Sequence, residues 1–216
     1  QIGNLAAVML VIHLIKHGYK AVVLVGGATG MIGDPKEDEE RKLKTQDEID
    51  KNKVGIAAQY NRILDGKEFE MVDNYDWFKD IGYLQFLRDI GKNFAMSQLL
   101  DREFVKERIG EDKAGISYAE FSYSLIQGYD FLHLFRTKGV SLQIGGSDQW
   151  GNMLSGVALG RKLENGEVHV LTLPLVINKA TGKKFGKSEE GTVWLDEQKT
   201  SVFKFYQFWI NADDEG

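Results

Sequence analysis

The stretch "KAVVLVGGATGMIGD" at residues 20–34 decides the fold of this chain. Residues 20–27 are apolar on both faces, which is typical of a parallel strand that helices cover on both sides. Four glycines, at positions 26, 27, 30 and 33, precede Asp34. Because ligands bind beyond the carboxyl ends of parallel strands, we predict a glycine-rich loop that approaches a ligand closely and ends at Asp34. A structural turn is the alternative, since the spacing fits neither a P-loop nor a dinucleotide fingerprint.

Strands and helices alternate along the rest of the chain. The apolar spacing predicts four helices, over 4–17, from the charged run 36–53 to about residue 64, over 118–136 and over 147–163. Three further strands are expected, over 69–77, 140–146 and 167–177. Residues 78–118 are charged and helical in tendency, and we interpret them as an insertion between two halves. This order predicts an α/β domain with a mostly parallel sheet.

Composition narrows the class of protein. With 216 residues, 43% of them hydrophobic, the chain can bury a real core. A net charge of −5 argues against a protein that coats nucleic acid by bulk electrostatics. The absence of cysteine excludes disulfides and thiolate metal sites. The apolar run 5–15 is too short to cross a membrane, so we expect a cytoplasmic protein.

A polar stripe runs along the predicted helix 118–136. Tyr123, Gln127 and Asp130 lie at positions i, i+4 and i+7 and therefore share one face. Much of the remaining surface of this helix is apolar, and a hydrogen-bonding stripe on a mostly buried helix is expected to bind a polar ligand. A solvated helix face is the alternative.

The strand 140–146 runs into "GGSDQWGN" at residues 145–152. Ser147 or Asp148 could simply cap the helix that follows. A cap does not explain why Gln143, Asp148 and Gln149 cluster with Trp150, so we also predict a ligand role here.

A basic, glycine-rich segment, "TGKKFGKSEEG", occupies residues 181–191. Lys183, Lys184 and Lys187 lie between glycines, a combination typical of a mobile loop that meets phosphates. A lysine-rich surface hairpin is the alternative.

These segments together resemble the class I aminoacyl-tRNA synthetases, and specifically the bacterial-type tyrosyl-tRNA synthetases, over essentially the whole chain. "KFGKS" at 184–188 is similar to the KMSKS loop of that class, and "QIGN" at 1–4 to its HIGH signature. "FSYSLIQGYDF" at 121–131 and "LQIGGSDQWGN" at 142–152 are similar to the tyrosine enzymes in particular. "DNYDW" at 73–77 departs from the family pattern, because Asp73 stands where that pattern has Asn.

The resemblance implies a Rossmann-like doubly wound parallel sheet with a mainly helical insertion between its halves. It implies a catalytic domain over 1–200, with the insertion at about 78–118 and the KMSKS-like loop at 181–191. Residues 201–216 would begin the helical region that follows in the family. We expect the chain to be a fragment, because the family continues into RNA-binding domains beyond this point.

The resemblance also assigns roles to single residues. Tyrosine would be bound by six side chains, those of Asp34, Asn74, Tyr123, Gln127, Asp130 and Gln149. Among them, Asp34, Tyr123 and Gln127 would hold the ammonium group, and Asp130 would accept a hydrogen bond from the phenolic hydroxyl. ATP would be bound by Gly3, Gly146, Asp148, Leu175, Val176, Lys184 and Lys187. The catalytic set would be Lys184, Lys187 and Ser188 with Gln1 and Asn4 of the first signature.

The implied reaction converts L-tyrosine and ATP to tyrosyl-adenylate and pyrophosphate, and then transfers tyrosine to the 3′ end of its tRNA. Mg²⁺ would be carried by ATP, and no metal site or tightly bound cofactor is implied. The implied assembly is a homodimer with its contact near residues 83–94, where Leu84, Phe86, Leu87 and Ile90 could equally pack internally.

The acidic run 36–40 leaves only Lys36 and Arg41 as basic candidates near the phosphates. This run and the altered first signature make an inactive binding module the main alternative. Another nucleotidylyl transferase and a tryptophan-type synthetase are further alternatives.

Overall fold

Two pairs of parallel strands form the centre of the computed structural model, which describes residues 2–34, 43–111, 113, 115–178, 183–184 and 193–211. Strands β1 (Ala21–Val25) and β2 (Phe69–Asp73) pair in register from Ala21 with Phe69 to Val25 with Asp73. Strands β3 (Leu142–Gly146) and β4 (His169–Leu173) pair from Leu142 with His169 to Gly146 with Leu173. The predicted α/β class and the parallel strand direction are thus confirmed.

Ten α-helices occur in the described part of the chain. They are α1 (Leu5–Lys16), α2 (Gly27–Ile32), α3 (Gln46–Ile63), α4 (Tyr75–Phe78), α5 (Tyr83–Asp89), α6 (Met96–Leu100), α7 (Glu103–Arg108), α8 (Tyr118–Lys138), α9 (Trp150–Glu164) and α10 (Val202–Ile210). Two short strands, β5 (Ile177–Asn178) and β6 (Lys183–Lys184), form an antiparallel pair. None of the helices in this part of the chain is both long and apolar enough to cross a membrane.

The prediction of a glycine-rich loop after β1 is wrong, because six residues of this segment form the helix α2. Glycine is unfavourable in a helix, so this helix depends on bonds from outside it. The backbone N–H groups of Gly27 and Ala28 donate to the side chains of Asp73, the last residue of β2, and of Asn74, which follows it. The helix ends at Gly33, whose φ of +85° suits glycine.

A cavity of about 570 Å³ separates the two strand pairs. Consecutive residues of β1 and β3 line it, together with α1 and α8. Within the described residues β1 is bonded only to β2, and β3 only to β4. The cavity therefore lies in the middle of the α/β domain, with α1 contacting both strand pairs across it.

The two longest helices, α3 and α8, begin where their sequences provide caps. Thr45 and Glu48 form a reciprocal capping box at the start of α3, and Ser117 with Glu120 does the same for α8. Glu120 also holds Arg108 of the insertion in a buried ion pair, with side chains only 2–3% exposed. This pair fixes the insertion to the start of α8.

Helices α5 to α7 lie within the predicted insertion, residues 78–118. Ile90, just after α5, packs in one core cluster with Leu132 of α8 and Leu159 of α9, and Phe86 packs against this cluster. These two candidates for an external contact are thus internal. Leu84, in contrast, is 78% exposed.

Helices α8 and α9 approach closely at two glycines. A Cβ atom on Gly128 of α8 would lie 2.7 Å from Cβ of Ser155 and 3.0 Å from its carbonyl carbon. A Cβ on Gly156 of α9 would meet the ring of Phe131 at 2.6 Å. Both contacts are closer than a side chain allows, so the glycines set the distance between the helices.

We predict that Gly128→Ala lowers the free energy of unfolding by about 1–3 kcal/mol, because the added methyl group must push α9 away from α8. Urea unfolding measures this change. Gly55→Ala is the matched control, since Gly55 lies inside α3 with open space around its Cβ position. That control is expected to stabilise the protein by roughly 0.5–1 kcal/mol. Equal effects of the two substitutions would contradict the close packing of α8 on α9.

Candidate active site

Asp34 lies just after α2 and contacts the start of α9. Its Oδ2 accepts a hydrogen bond from Nε2 of Gln149 at 3.0 Å, and its Oδ1 accepts one from Nδ2 of Asn152 at 3.3 Å. Nδ2 of Asn152 also lies 3.2 Å from Oε1 of Gln149. Two residues that the sequence assigned to one ligand, Asp34 and Gln149, are therefore in direct contact although they are 115 positions apart.

Asp130 of α8 is the most deeply buried acid of the site, with 2% of its surface exposed. Its Oδ2 accepts from Nδ2 of Asn74 at 3.1 Å, and its Oδ1 accepts from Nε1 of Trp77 at 2.9 Å. Burial raises the pKa of the Asp130 carboxyl to about 7, while the hydrogen bonds from Asn74 and Trp77 oppose that rise. Each carboxyl oxygen keeps room for a further hydrogen bond.

The polar stripe of α8 faces the central cavity. Tyr123, Gln127 and Asp130 all line it, and the first two are half-buried. This placement rules out the solvated face that was the alternative. Gln143 of β3 lines the same cavity, and its buried Oε1 has no hydrogen-bond partner among the described residues. The cavity thus offers a buried carboxyl, an aromatic hydroxyl and two amides to a ligand.

Three of the residues assigned to ATP form a second cluster, at the end of β3. A Cβ on Gly146 would lie 2.6 Å from Oδ1 of Asp148 and 2.9 Å from Cδ2 of Leu175. Asp148 is exposed beside this contact, and Val176 follows Leu175 in a half-buried position. The capping interpretation of Ser147 and Asp148 is wrong, because neither the 3₁₀ turn Ser147–Gln149 nor α9 has a side-chain cap.

The first signature lies at the start of α1. Residues Ile2–Asn4 form a 3₁₀ turn, in which Gly3 is half-buried and Asn4 is exposed. The backbone N–H of Ile2 donates to the carbonyl of Val193 at 3.1 Å, so this turn contacts the chain after the basic loop. Lys184 belongs to β6. Gln1, Lys36, Arg41, Lys187 and Ser188 lie outside the described residues.

Sequence reasoning missed three residues that hold the site together, namely Thr29, Trp77 and Asn152. Asn152 lies three residues after Gln149, so helical spacing alone could have assigned it to the same face. Trp77 lies three residues after Asn74, and its ring stacks on His133 at a centroid distance of 4.4 Å. Thr29 accepts from Asn74 at 3.3 Å, a contact across 45 positions that no local pattern signals.

This geometry suits a small polar ligand that has a hydrogen-bond donor at one end. The carboxyl of Asp130 serves that end, and Tyr123 and Gln127 continue along the same helix face. No group of three or more histidines or acids suitable for a metal ion occurs in the described ranges.

Comparisons with known proteins identify the family of the chain. The family described as "tRNA synthetases class I (W and Y)" matches residues 1–216. A tyrosine–tRNA ligase of Flavobacterium johnsoniae is 48% identical over 222 residues, covering 99% of this chain and 51% of that protein. One of Yersinia enterocolitica is 50% identical over 219 residues, with the same coverage of both chains. The chain spans about half the length of the curated relatives it matches.

Solved structures extend the similarity to the fold. A C-terminally truncated mitochondrial tyrosyl-tRNA synthetase of Aspergillus nidulans has a TM-score of 0.79 at 27% identity, covering 99% of this chain and 64% of that one. The corresponding Coccidioides posadasii structure has a TM-score of 0.77 at 26% identity, covering 100% and 64%. These likenesses agree with a Rossmann-like sheet. With the family match over all 216 residues, they establish that the chain belongs to the W and Y group of the class I tRNA synthetases.

Proposed function

We propose that this chain carries the catalytic domain of a tyrosine–tRNA ligase, which activates L-tyrosine with ATP and transfers it to tRNA. The observation that carries the proposal is the buried carboxyl of Asp130, held by Asn74 and Trp77 against the central cavity. A buried acceptor with spare capacity is what a phenolic hydroxyl requires, since an unpaired buried polar group is costly.

In this proposal the tyrosine ring lies along the polar face of α8. Asp130 accepts a hydrogen bond from the phenolic hydroxyl, and Tyr123, Gln127 and Asp34 hold the ammonium group. Gln149 stands near the reacting carboxylate, and its contact with Asp34 supports that placement. Asn74 acts on tyrosine through Asp130 rather than by direct contact, because it is fully buried.

ATP is proposed to bind at the Gly146 cluster. Asp148 would accept from the ribose hydroxyls, and the backbone at Leu175 and Val176 would border the adenine. Gly3 and Asn4 would lie near the phosphates, as would Gln1, Lys184, Lys187 and Ser188 of the two signatures. Mg²⁺ would arrive bound to ATP.

The proposed first step needs no covalent intermediate with the protein. An oxygen of the tyrosine carboxylate attacks the α-phosphorus of ATP, the bond to the bridging oxygen breaks, and pyrophosphate leaves. In the second step a terminal ribose hydroxyl of tRNA attacks the tyrosyl carbonyl, and AMP leaves. Catalysis then consists of positioning and of stabilising negative charge on the phosphates, which the lysines of the basic loop would supply.

Domain organisation and location are part of the same proposal. Residues 1–200 would form the catalytic domain, with the insertion at about 78–118, and residues 201–216 would begin the next helical region. The proposed location is the cytoplasm, where a tRNA ligase of bacterial type, like the curated relatives, would charge its tRNA.

Tyrosine-dependent exchange of pyrophosphate into ATP, measured on the full-length protein, tests the function. We expect exchange with tyrosine and far less with phenylalanine or tryptophan. Tyrosine binding without exchange would instead identify the inactive binding module that the acidic run 36–40 left open. Exchange with tryptophan alone would identify the tryptophan-type enzyme.

The Asp130→Ala variant tests the hydroxyl contact. We expect its kcat/KM for tyrosine in the exchange assay to fall about 10–100-fold, the range for one hydrogen bond to a charged group, while kcat/KM for phenylalanine does not fall. Asp76→Ala is the matched control, because Asp76 is an exposed acid on neighbouring α4. Equal losses for both amino acids would reject the contact.

The raised pKa of Asp130 predicts a pH dependence of specificity. Below about pH 7 its carboxyl is protonated in the unliganded protein, and above that pH it is a carboxylate. A carboxylate accepts from the phenol more strongly than the neutral acid, and it disfavours phenylalanine because its charge stays buried without that donor. The ratio of tyrosine to phenylalanine affinity is therefore expected to rise between pH 6 and 8. In Asp130→Asn this ratio should stay flat, and a ratio that rises equally in that variant would exclude Asp130 as the titrating group.

A homodimer is proposed through the insertion. Tyr83, Leu84, Met96 and Tyr118 are all more than half exposed, and the hydroxyls of Tyr83 and Tyr118 lie 3.5 Å apart. An apolar surface of this kind favours an interface. Leu84→Glu should shift sedimentation toward the monomer, whereas the control Val54→Glu on α3, equally apolar and exposed, should not. A Leu84→Glu protein that sediments as the unsubstituted one would place the contact elsewhere.

A further inference from the structure

Asp73 carries a charge at a position where the resembled family pattern has asparagine, and the structure gives that charge a partner. Oδ2 of Asp73 lies 2.5 Å from Nζ of Lys53, which extends from α3. This contact is the first cause of the raised pKa of Lys53. Nζ of Lys53 also lies 3.5 Å from Asp50 and 6.0 Å from the ring centre of Tyr75, so the ammonium group is held from several sides.

The other oxygen of Asp73 holds the backbone around the site. Oδ1 accepts from the N–H of Gly27 at 3.0 Å and from the N–H of Tyr75 at 2.9 Å. The carboxylate approaches Gly27 so closely that a Cβ there would collide with it. Asp73 thus joins the end of β2 to the first residue of α2.

Helix α2 connects the two ends of the proposed tyrosine site. At its start, Ala28 donates to Oδ1 of Asn74 at 2.7 Å, and the same asparagine donates to Asp130. At its end, Gly33 leads to Asp34, which contacts Gln149 and Asn152. A shift of the first turn of α2 therefore changes the spacing between the acceptor for the hydroxyl and the acid for the ammonium group.

We propose that Asp73, locked by Lys53, is a positioning residue that fixes the first turn of α2 and thereby the distance between Asp34 and Asp130. Asparagine could accept from Gly27 and Tyr75 with its one oxygen, but its amide NH₂ cannot accept from an ammonium group. The lysine and the aspartate are therefore a matched pair. The inference rests on the proposed function, because it concerns the binding of tyrosine.

The first test is independent of tyrosine and uses hydrogen exchange of the backbone amides at residues 26–32, measured by mass spectrometry on the full-length protein. Asp73→Ala is expected to raise the exchange rate of this segment at least tenfold, because it removes an acceptor from the start of α2. Asp73→Asn keeps that acceptor and should raise the rate about two- to fivefold. Lys53→Met should match Asp73→Asn, and Lys51→Met on the same helix is the control without effect. Unchanged exchange in both Asp73→Ala and Lys53→Met would overturn the proposal.

The second test separates positioning from general stability by the kinetics of pyrophosphate exchange. Asp73→Ala should raise KM for tyrosine about tenfold or more, with KM for ATP and kcat within about twofold. Lys53→Met and Asp73→Asn should each raise KM for tyrosine about threefold, and the double variant no further, since both break one contact. Equal increases in both KM values, or additive effects in the double variant, would overturn the proposal. Lack of exchange by the unsubstituted protein would instead refute the proposed function and leave the first test intact.

Discussion

The side chain of Asn74 makes the hydrogen bonds on which the rest of the site depends. It is fully buried, and both ends of its amide are used. Its oxygen accepts from the backbone of α2, and its NH₂ group donates to Thr29 and to Asp130 of α8. Strand β2, helix α2 and helix α8 therefore meet at one residue. Because a buried amide left with an unmade bond costs about 1–3 kcal/mol, these three elements are constrained to a single arrangement.

The constraint explains how a buried carboxyl is tolerated. Moving Asp130 out of water disfavours its charged form, which is why its pKa rises to about 7. Asn74 and Trp77 offset part of that cost, and Trp77 is itself fixed by stacking on His133. The negative charge of Asp73 adds to the rise. The folded protein thus maintains a buried acid whose two oxygens each accept one hydrogen bond, and in the proposed function a phenolic hydroxyl supplies a further donor.

Local patterns predicted the parts of this structure that depend on local physics. The spacing of Tyr123, Gln127 and Asp130 placed them on one face of α8, and they do face the cavity. The doubly apolar strand after α1 likewise predicted the parallel pairing of β1. Helix α2 was predicted as a loop, because its helical form depends on side chains 46 positions away, those of Asp73 and Asn74. A sequence pattern reports local propensity and periodicity, and neither of these predicts a hydrogen bond between residues that lie so far apart in the sequence.

The cavity between the strand pairs was unpredictable for a related reason. Apolar strands indicate that both faces of the sheet are covered, but they do not indicate which strands pair. The sequence therefore could not predict that β1 and β3 are unpaired with each other in the described structure. The contact of Asp34 with Gln149 and Asn152 could be predicted from the sequence only in part. The helical spacing from Gln149 to Asn152 is local and therefore predictable, whereas the approach of Asp34 depends on where α2 ends.

Two separate parts of the fold set the distance across the site. One is α2, which runs from the Asp73–Asn74 contacts to Asp34. The other is the close approach of α8 and α9 at Gly128 and Ser155. Gly128 lies two residues before Asp130, and Ser155 lies three residues after Asn152. The first part is held by hydrogen bonds and the second by backbone packing. In the proposed function a ligand contacts both Asp130 and Asp34, so its length would have to match the spacing that these two parts of the fold set.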